Sequence, residues 1–312
     1  MNLVAKMATG VAMTFALTAG AYAAEPESCQ TVRFSDVGWT DITATTAATS
    51  VVLEALGYKT ETKILSVPVT YASLKNGDID VFLGNWMPTM EGDIKAYRED
   101  GSVETVRANL QGAKYTLAVP KYTYDKGLKT FADIAKFKDD LDGKIYGIEP
   151  GNDGNRLILD MIEQDAFGLK GFDVVESSEQ GMLAQVARNE KRQKDIVFLG
   201  WEPHPMNANF EMAYLDGGDD FFGPDYGGAT VYTNVRKGYA AECPNVGKLL
   251  ENLEFTLPME NEIMGAILND GADGKAAARE WLKKHPDIYS VWLDGVTATD
   301  GTPALDAVKK AL

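Results

Sequence analysis

Two stretches of this chain use almost the same words: VFLGNWMP at residues 81–88 and VFLGWEP at residues 197–203. Each is a short apolar run ending in glycine, followed by a tryptophan and a proline. The surroundings repeat as well. Before the first copy, TVRFSD (31–36) reads as a buried strand and DITATTAATSVVLEALGY (41–58) as a helix closed by Gly57. KTETKILS (59–66) then alternates as a strand, VTYASLKNG (69–77) reads as a short helix and IDVFLG (79–84) as a third strand. Before the second copy the order is the same: GKIYGIE (143–149), NRLILDMIEQDAFG (155–168), FDVVE (172–176), SEQGMLAQVARNE (178–190) and DIVFLG (195–200). Two β-α-β-α-β units, each expected to build a mainly parallel sheet flanked by helices, make this an α/β chain.

In open α/β sheets, ligands bind off the carboxyl ends of the strands. Trp86 and Trp201 stand just past those ends. The first strand of each unit also ends in a glycine-containing turn, DVGWTD (36–41) and IEPGNDG (148–154), which adds Trp39, Asp41, Asn152 and Asp153. GAKYTLAVPKYTY (112–124) and GGATVYTNVRKGY (227–239) read as extended crossovers between the units. The helix-rich tail after Cys243 must then pack on the first unit. Two lobes joined by two hinge segments describe a clamp, with residues 24–114 and 229–312 in lobe 1 and residues 115–228 in lobe 2.

Bulk properties narrow the setting. A chain of 312 residues has room for two cores. Residues 1–23 carry Lys6, an apolar run and the small-x-small pattern Ala21-Tyr22-Ala23, which reads as a cleaved signal peptide. A periplasmic address follows, and it makes a disulfide the default for Cys29 and Cys243. The formal charge of −16 speaks against nucleic acid and mildly favours cationic ligands.

Little here suggests catalysis. The two histidines, His204 and His285, have no G-x-S-x-G partner, and His204, with no cysteine or second histidine nearby, makes a poor metal site. NDGADGKAAARE (269–280) has Gly271 where a calcium loop needs a ligand and reads as a helix start. GADGKA (271–276) lacks the spacing and hydroxyl of a phosphate loop. Trp281 and Trp292 lie on helical stretches and read as core, and His285 reads as a helix end. Trp39, Trp86 and Trp201, at equivalent strand ends of a duplicated unit, are different. Converging indole faces suit a quaternary ammonium, which has no N–H to donate but attracts negative ring faces through every methyl.

The phrases DVGWTD, FLGNWMP, AKYTLAVP, PGNDG and LGWEPH resemble the periplasmic substrate-binding proteins of ABC importers for glycine betaine and choline, over essentially the whole mature chain. The resemblance implies the two-lobed type II periplasmic binding fold and an aromatic box of Trp39, Trp86, Tyr115 and Trp201. It also implies that Asp41 balances the ligand's charge and that Asn152 hydrogen-bonds a choline hydroxyl. Read alone, Asp41 is a helix N-cap and Asn152 a cap or turn residue. Asp41 would repel betaine's carboxylate, and Pro205 stands where betaine-binding relatives commonly show an aromatic, so choline is the expected ligand. His204, a secondary lining candidate with Asp153, keeps glycine betaine as the runner-up. The expectation is a monomeric receptor without cofactor or metal, binding choline, with acetylcholine or betaine weaker, and delivering it to a permease and its ATPase. An enzyme acting on choline esters through Asp41 or Asp153, or a sensory receptor, are the rival readings.

Overall fold

The computed structural model describes residues 25–312, so the expected signal peptide, residues 1–23, lies outside the described residues. In the first unit β1 (Thr31–Asp36) pairs in parallel with β2 (Lys59–Ile64) and with β3 (Val81–Met87). The connecting helices are α1 (Thr40–Ala55) and α2 (Val67–Asn76). Gly57, at φ +98°, turns the chain from α1 into β2, a conformation that favours glycine.

The second unit repeats this plan. Following β4 (Val103–Pro120), β5 (Lys144–Tyr146) pairs in parallel with β6 (Asp173–Val175) and with β7 (Phe198–Glu202). Helices Asp153–Glu163 and Glu179–Arg192 connect them. β8 (Met212–Tyr214) pairs with β4, and β9 (Gly228–Arg236) returns antiparallel to both β3 and β4. Among the described residues the strand order is β2-β1-β3-β9-β4-β7-β5-β6. The two halves mirror one another: outer strand, first strand, third strand, crossover.

The crossovers do more than connect. The sequence suggested separate sheets, but β4 and β9 hydrogen-bond to each other and make the sheet continuous. β4 also begins nine residues before the expected crossover. Gly112, at φ +76°, lies where the register shifts between Leu110 and Ala113, so it marks a bulge within a strand rather than its start. The helix expected over 155–168 stops at Glu163, because Asp165 takes φ +52° and a separate turn follows. The Gly/Asp-rich stretch before β9 holds a short helical turn, Asp219–Phe222, followed by a tight turn in which Asp225 and Tyr226 take positive φ.

α1 has no polar face because it is buried almost all round: thirteen residues between Thr40 and Leu53 are buried. Helices Leu257–Leu268 and Gly274–Lys284 pack against it, so the tail covers the first unit. Asp273 caps the second of these by accepting from the Lys275 and Ala276 amides, the helix start read from the sequence. Cys29 and Cys243 form a disulfide with Cα atoms 5.5 Å apart. Trp292 is buried, while Trp281 is half-buried and stacks on His285 at the end of the Gly274–Lys284 helix. Among the described residues, no helix is long and apolar enough to cross a membrane.

Candidate functional site

The ends of β1, β3, β5 and β7 converge on one small cavity. Trp39, Asp41, Trp86, Tyr115, Ile148 and Trp201 line it. Trp86 comes from β3. Tyr115 and Trp201 are register partners on β4 and β7, which places their side chains on the same face of the sheet. Ring centroids lie 6.1 Å apart for Trp86–Tyr115 and 6.1 Å for Tyr115–Trp201, both in edge-to-face arrangements. Phe222, from a turn before β9, supports Tyr115 from behind at 5.9 Å.

Tyr115 is held in place by its surroundings. Its hydroxyl donates to Asn152 Oδ1 at 3.0 Å. A Cβ on Gly154 would lie 2.1 Å from that hydroxyl, so the ring can approach the Asp153–Glu163 helix only because residue 154 is glycine. Asn152 caps this helix, as the sequence allowed, by accepting from the Asn155 amide at 3.1 Å. One of its two amide hydrogens goes to Asp153 Oδ1 at 3.1 Å. Asn152 and Asp153 are buried beside the cavity rather than among the residues that line it.

Asp41 is not a helix cap. Trp39 occupies the N-cap position, and Asp41 sits inside the first turn of α1 with its carboxylate in the cavity wall. The cap fails locally because a distant side chain supplies the acceptor: Glu179 Oε2 takes the Thr40 amide at 2.8 Å. Asp41 Oδ2 accepts the Trp86 indole N–H at 3.1 Å, while Oδ1 is buried without a partner. Burial, and secondarily the negative charge of Glu179, push the Asp41 carboxyl up to about 8.

Other acids surround the cavity. Glu149 accepts the Trp39 indole N–H at 2.8 Å, and burial still pushes it up to about 7. Asp153 is pushed up to about 6, again chiefly by burial. Glu260, on the helix packed against α1, is raised well above its usual range by burial and by the charge of Asp41. None of the lining residues is basic.

His204 stands one step back from the cavity. Its Nδ1 accepts the Met206 amide at 2.9 Å, so the ring proton sits on Nε2, 3.2 Å from Glu179 Oε1. The ring packs edge-on against Trp201, with centroids 4.8 Å apart. Both nitrogens are engaged, so His204 positions an aromatic wall rather than presenting a donor to the cavity.

Sequence reasoning missed Glu149, Ile148, Glu179 and Phe222. Glu179 lies in the first turn of the Glu179–Arg192 helix, and no local signal reveals that it reaches Thr40, 139 positions away. The lining hydroxyl, that of Tyr115, donates to the Asn152 amide oxygen rather than to a base of the kind nucleophilic catalysis needs. It offers instead four aromatic rings and one carboxylate, a combination suited to a cation without hydrogen-bond donors.

Comparisons with known proteins agree in kind. A solved structure of an ABC-transporter choline binding protein in complex with choline is 71% identical, covers 92% of this chain and 99% of its own, and superposes with a TM-score of 0.91. An ABC-transporter choline binding protein in an unliganded semi-closed conformation, also 71% identical, covers 91% and 99% with a TM-score of 0.84. A glycine betaine/carnitine transport binding protein of Listeria monocytogenes is 34% identical over 125 residues, 40% of each chain. The model of the substrate-binding domain of ABC-type glycine betaine transport systems matches residues 30–284. The chain therefore belongs to the family of substrate-binding domains of ABC-type glycine betaine transport systems.

Proposed function

We propose that the protein is a periplasmic choline receptor that closes its two lobes over the ligand and delivers it to an ABC permease driven by an ATPase. The observation that carries this reading is the cavity of Trp39, Trp86, Tyr115 and Trp201 with the buried, half-partnered carboxylate of Asp41 in its wall. A trimethylammonium group there meets several ring faces, each good contact contributing about 0.5–2 kcal/mol. Micromolar affinity requires about 8 kcal/mol, so the charge of Asp41 and the exclusion of water supply the rest. Asn152 has its oxygen committed to Tyr115 and Asn155 and one N–H committed to Asp153. Its second N–H is the donor for the choline hydroxyl. The lobes divide at residues 115 and 228, so that β4 and β9 form the hinge.

Glycine betaine is the second reading, favoured by the family's name. The acids around the cavity and the engagement of His204 weigh against a carboxylate ligand. Calorimetric titration of the mature protein with choline and glycine betaine, side by side at fixed salt, decides between them. Saturable choline binding at micromolar concentration with betaine far weaker is the expected result; betaine binding equally well or better would move the protein to the osmoprotectant branch.

A further inference from the structure

One acid beside the site, Glu179, has a geometry that its neighbours lack. Glu179 is buried and accepts three hydrogen bonds: from the Thr40 amide at 2.8 Å, from the Thr40 hydroxyl, and from His204 Nε2 at 3.2 Å. Thr40 lies between Trp39 and Asp41 in the first half of the fold. His204 packs on Trp201 in the second half. We infer that Glu179 is a positioning residue that ties the two sides of the aromatic cavity together when the lobes close, and so sets how long the ligand stays bound. This rests on the proposed choline-receptor reading and its lobe division.

The turn carrying Trp39 does not need Glu179 to form. Asp36, at the end of β1, already accepts the Gly38 amide at 2.7 Å and the Thr43 hydroxyl at 2.7 Å, bracketing the turn from within its own half. Glu179 adds a bond available only while the halves are together. At the first amide of α1 it also places a negative charge at the positive end of the helix.

A carboxylate is required by the count of donors. Oε2 takes one N–H, and Oε1 takes an O–H and an N–H. Glutamine has a single acceptor oxygen, and its NH2 would face either the Thr40 amide or the His204 Nε2–H, donor against donor. Glu179→Gln keeps the size of the side chain and breaks this arrangement.

The test is a double-mutant cycle of Glu179→Gln and Thr40→Val, with choline affinity and dissociation rate read by tryptophan fluorescence, alongside the melting temperature of the ligand-free proteins. Saturable choline binding by the wild type is the control for the receptor reading; the variants then report on Glu179. Glu179→Gln is expected to weaken binding about tenfold or more, through faster dissociation, with the ligand-free melting temperature within about 2 °C of wild type. The double variant should lose at least about threefold less than the product of the two single losses, since both act on one contact. Wild-type affinity in Glu179→Gln, multiplicative losses, or a loss matched by equal destabilisation of the ligand-free protein would each overturn the inference. If Glu179→Gln does not fold, faster choline dissociation from Thr40→Val still supports it, and an unchanged rate refutes it.

Discussion

Trp86→Phe and Trp201→Phe are the same substitution at two equivalent strand ends, and they should not cost the same. The two indoles are buried alike, at 3% and 4% exposure, and each stands 6.1 Å from the Tyr115 ring. Changing either to phenylalanine weakens one ring quadrupole, a loss of about 0.5 kcal/mol, or about twofold in affinity. Trp86 also donates its N–H to Asp41 Oδ2, and the other Asp41 oxygen has no partner. A hydrogen bond to a charged group contributes about 1.5–3 kcal/mol. In the proposed choline complex Asp41 is ionised, so Trp86→Phe should lose a further factor of about 10–150 in affinity.

Calorimetry with choline on both variants, at one salt concentration and one pH, measures the difference. The ligand-free melting temperatures serve as the folding control, and they should change little because Asp41 in the empty closed cavity can relieve its charge by taking a proton. Equal losses in the two variants would refute the assignment of Asp41 as the ligand's counter-charge and leave the rings as the whole of the site.

Gly154→Ala places a Cβ against the Tyr115 hydroxyl, 2.1 Å away, and should lower affinity for choline and tetramethylammonium alike, by about tenfold or more, in the same titration. Asn152→Ala should weaken choline more than tetramethylammonium, which has no hydroxyl; equal losses would remove Asn152 from its proposed role. Asp41, Glu149 and Asp153 are all raised in the closed cavity, so closing without ligand takes up protons. For Asp41 the resulting penalty is complete above about pH 8 and disappears as pH falls toward the ordinary value of 3.8. Small-angle scattering of the ligand-free protein should therefore show a more compact particle at pH 5 than at pH 7, and an unchanged profile would count against empty closure being limited by these acids.

Much of the fold could be read from the chain because it is written twice. The VFLG segments, the tryptophans that follow them in the last residues of the same strands and the glycine turns at Gly38 and Gly151 repeat with the same local chemistry, and local chemistry is what periodicity and turn rules detect. The continuous sheet could not be read this way, because the pairing of β4 with β9 joins segments more than a hundred residues apart, and the bulge at Gly112 disguised the length of β4. The same division holds for the site. Trp39, Trp86 and Trp201 announced themselves by position, whereas Tyr115 came only through family resemblance. Glu149 and Glu179 were invisible because their meaning lies in the partners they reach, Trp39 and Thr40, across the fold.

The burial of Asp41 gives the proposed receptor a reason to close only when loaded. In an open cleft its carboxyl would titrate near 3.8, and in the empty closed cavity near 8, so closing without ligand at pH 7 costs about 4 kcal/mol from this group alone. A bound cation removes that cost by replacing lost hydration with an opposite charge, and the rings exclude the water that would otherwise screen the pair. Contacts between the halves, such as Trp39 with Glu149 and Arg156 with Asp93 at 2.8 Å, favour closure whether or not ligand is present. The penalty at Asp41, with the smaller ones at Glu149 and Asp153, opposes those contacts when no cation is present, so a permease that recognises the closed shape would be offered fewer receptors carrying nothing. Under the proposed function the carboxylate that attracts choline thus also makes the closed form report its presence, and Asp41→Asn should weaken choline binding while making the ligand-free particle more compact at pH 7.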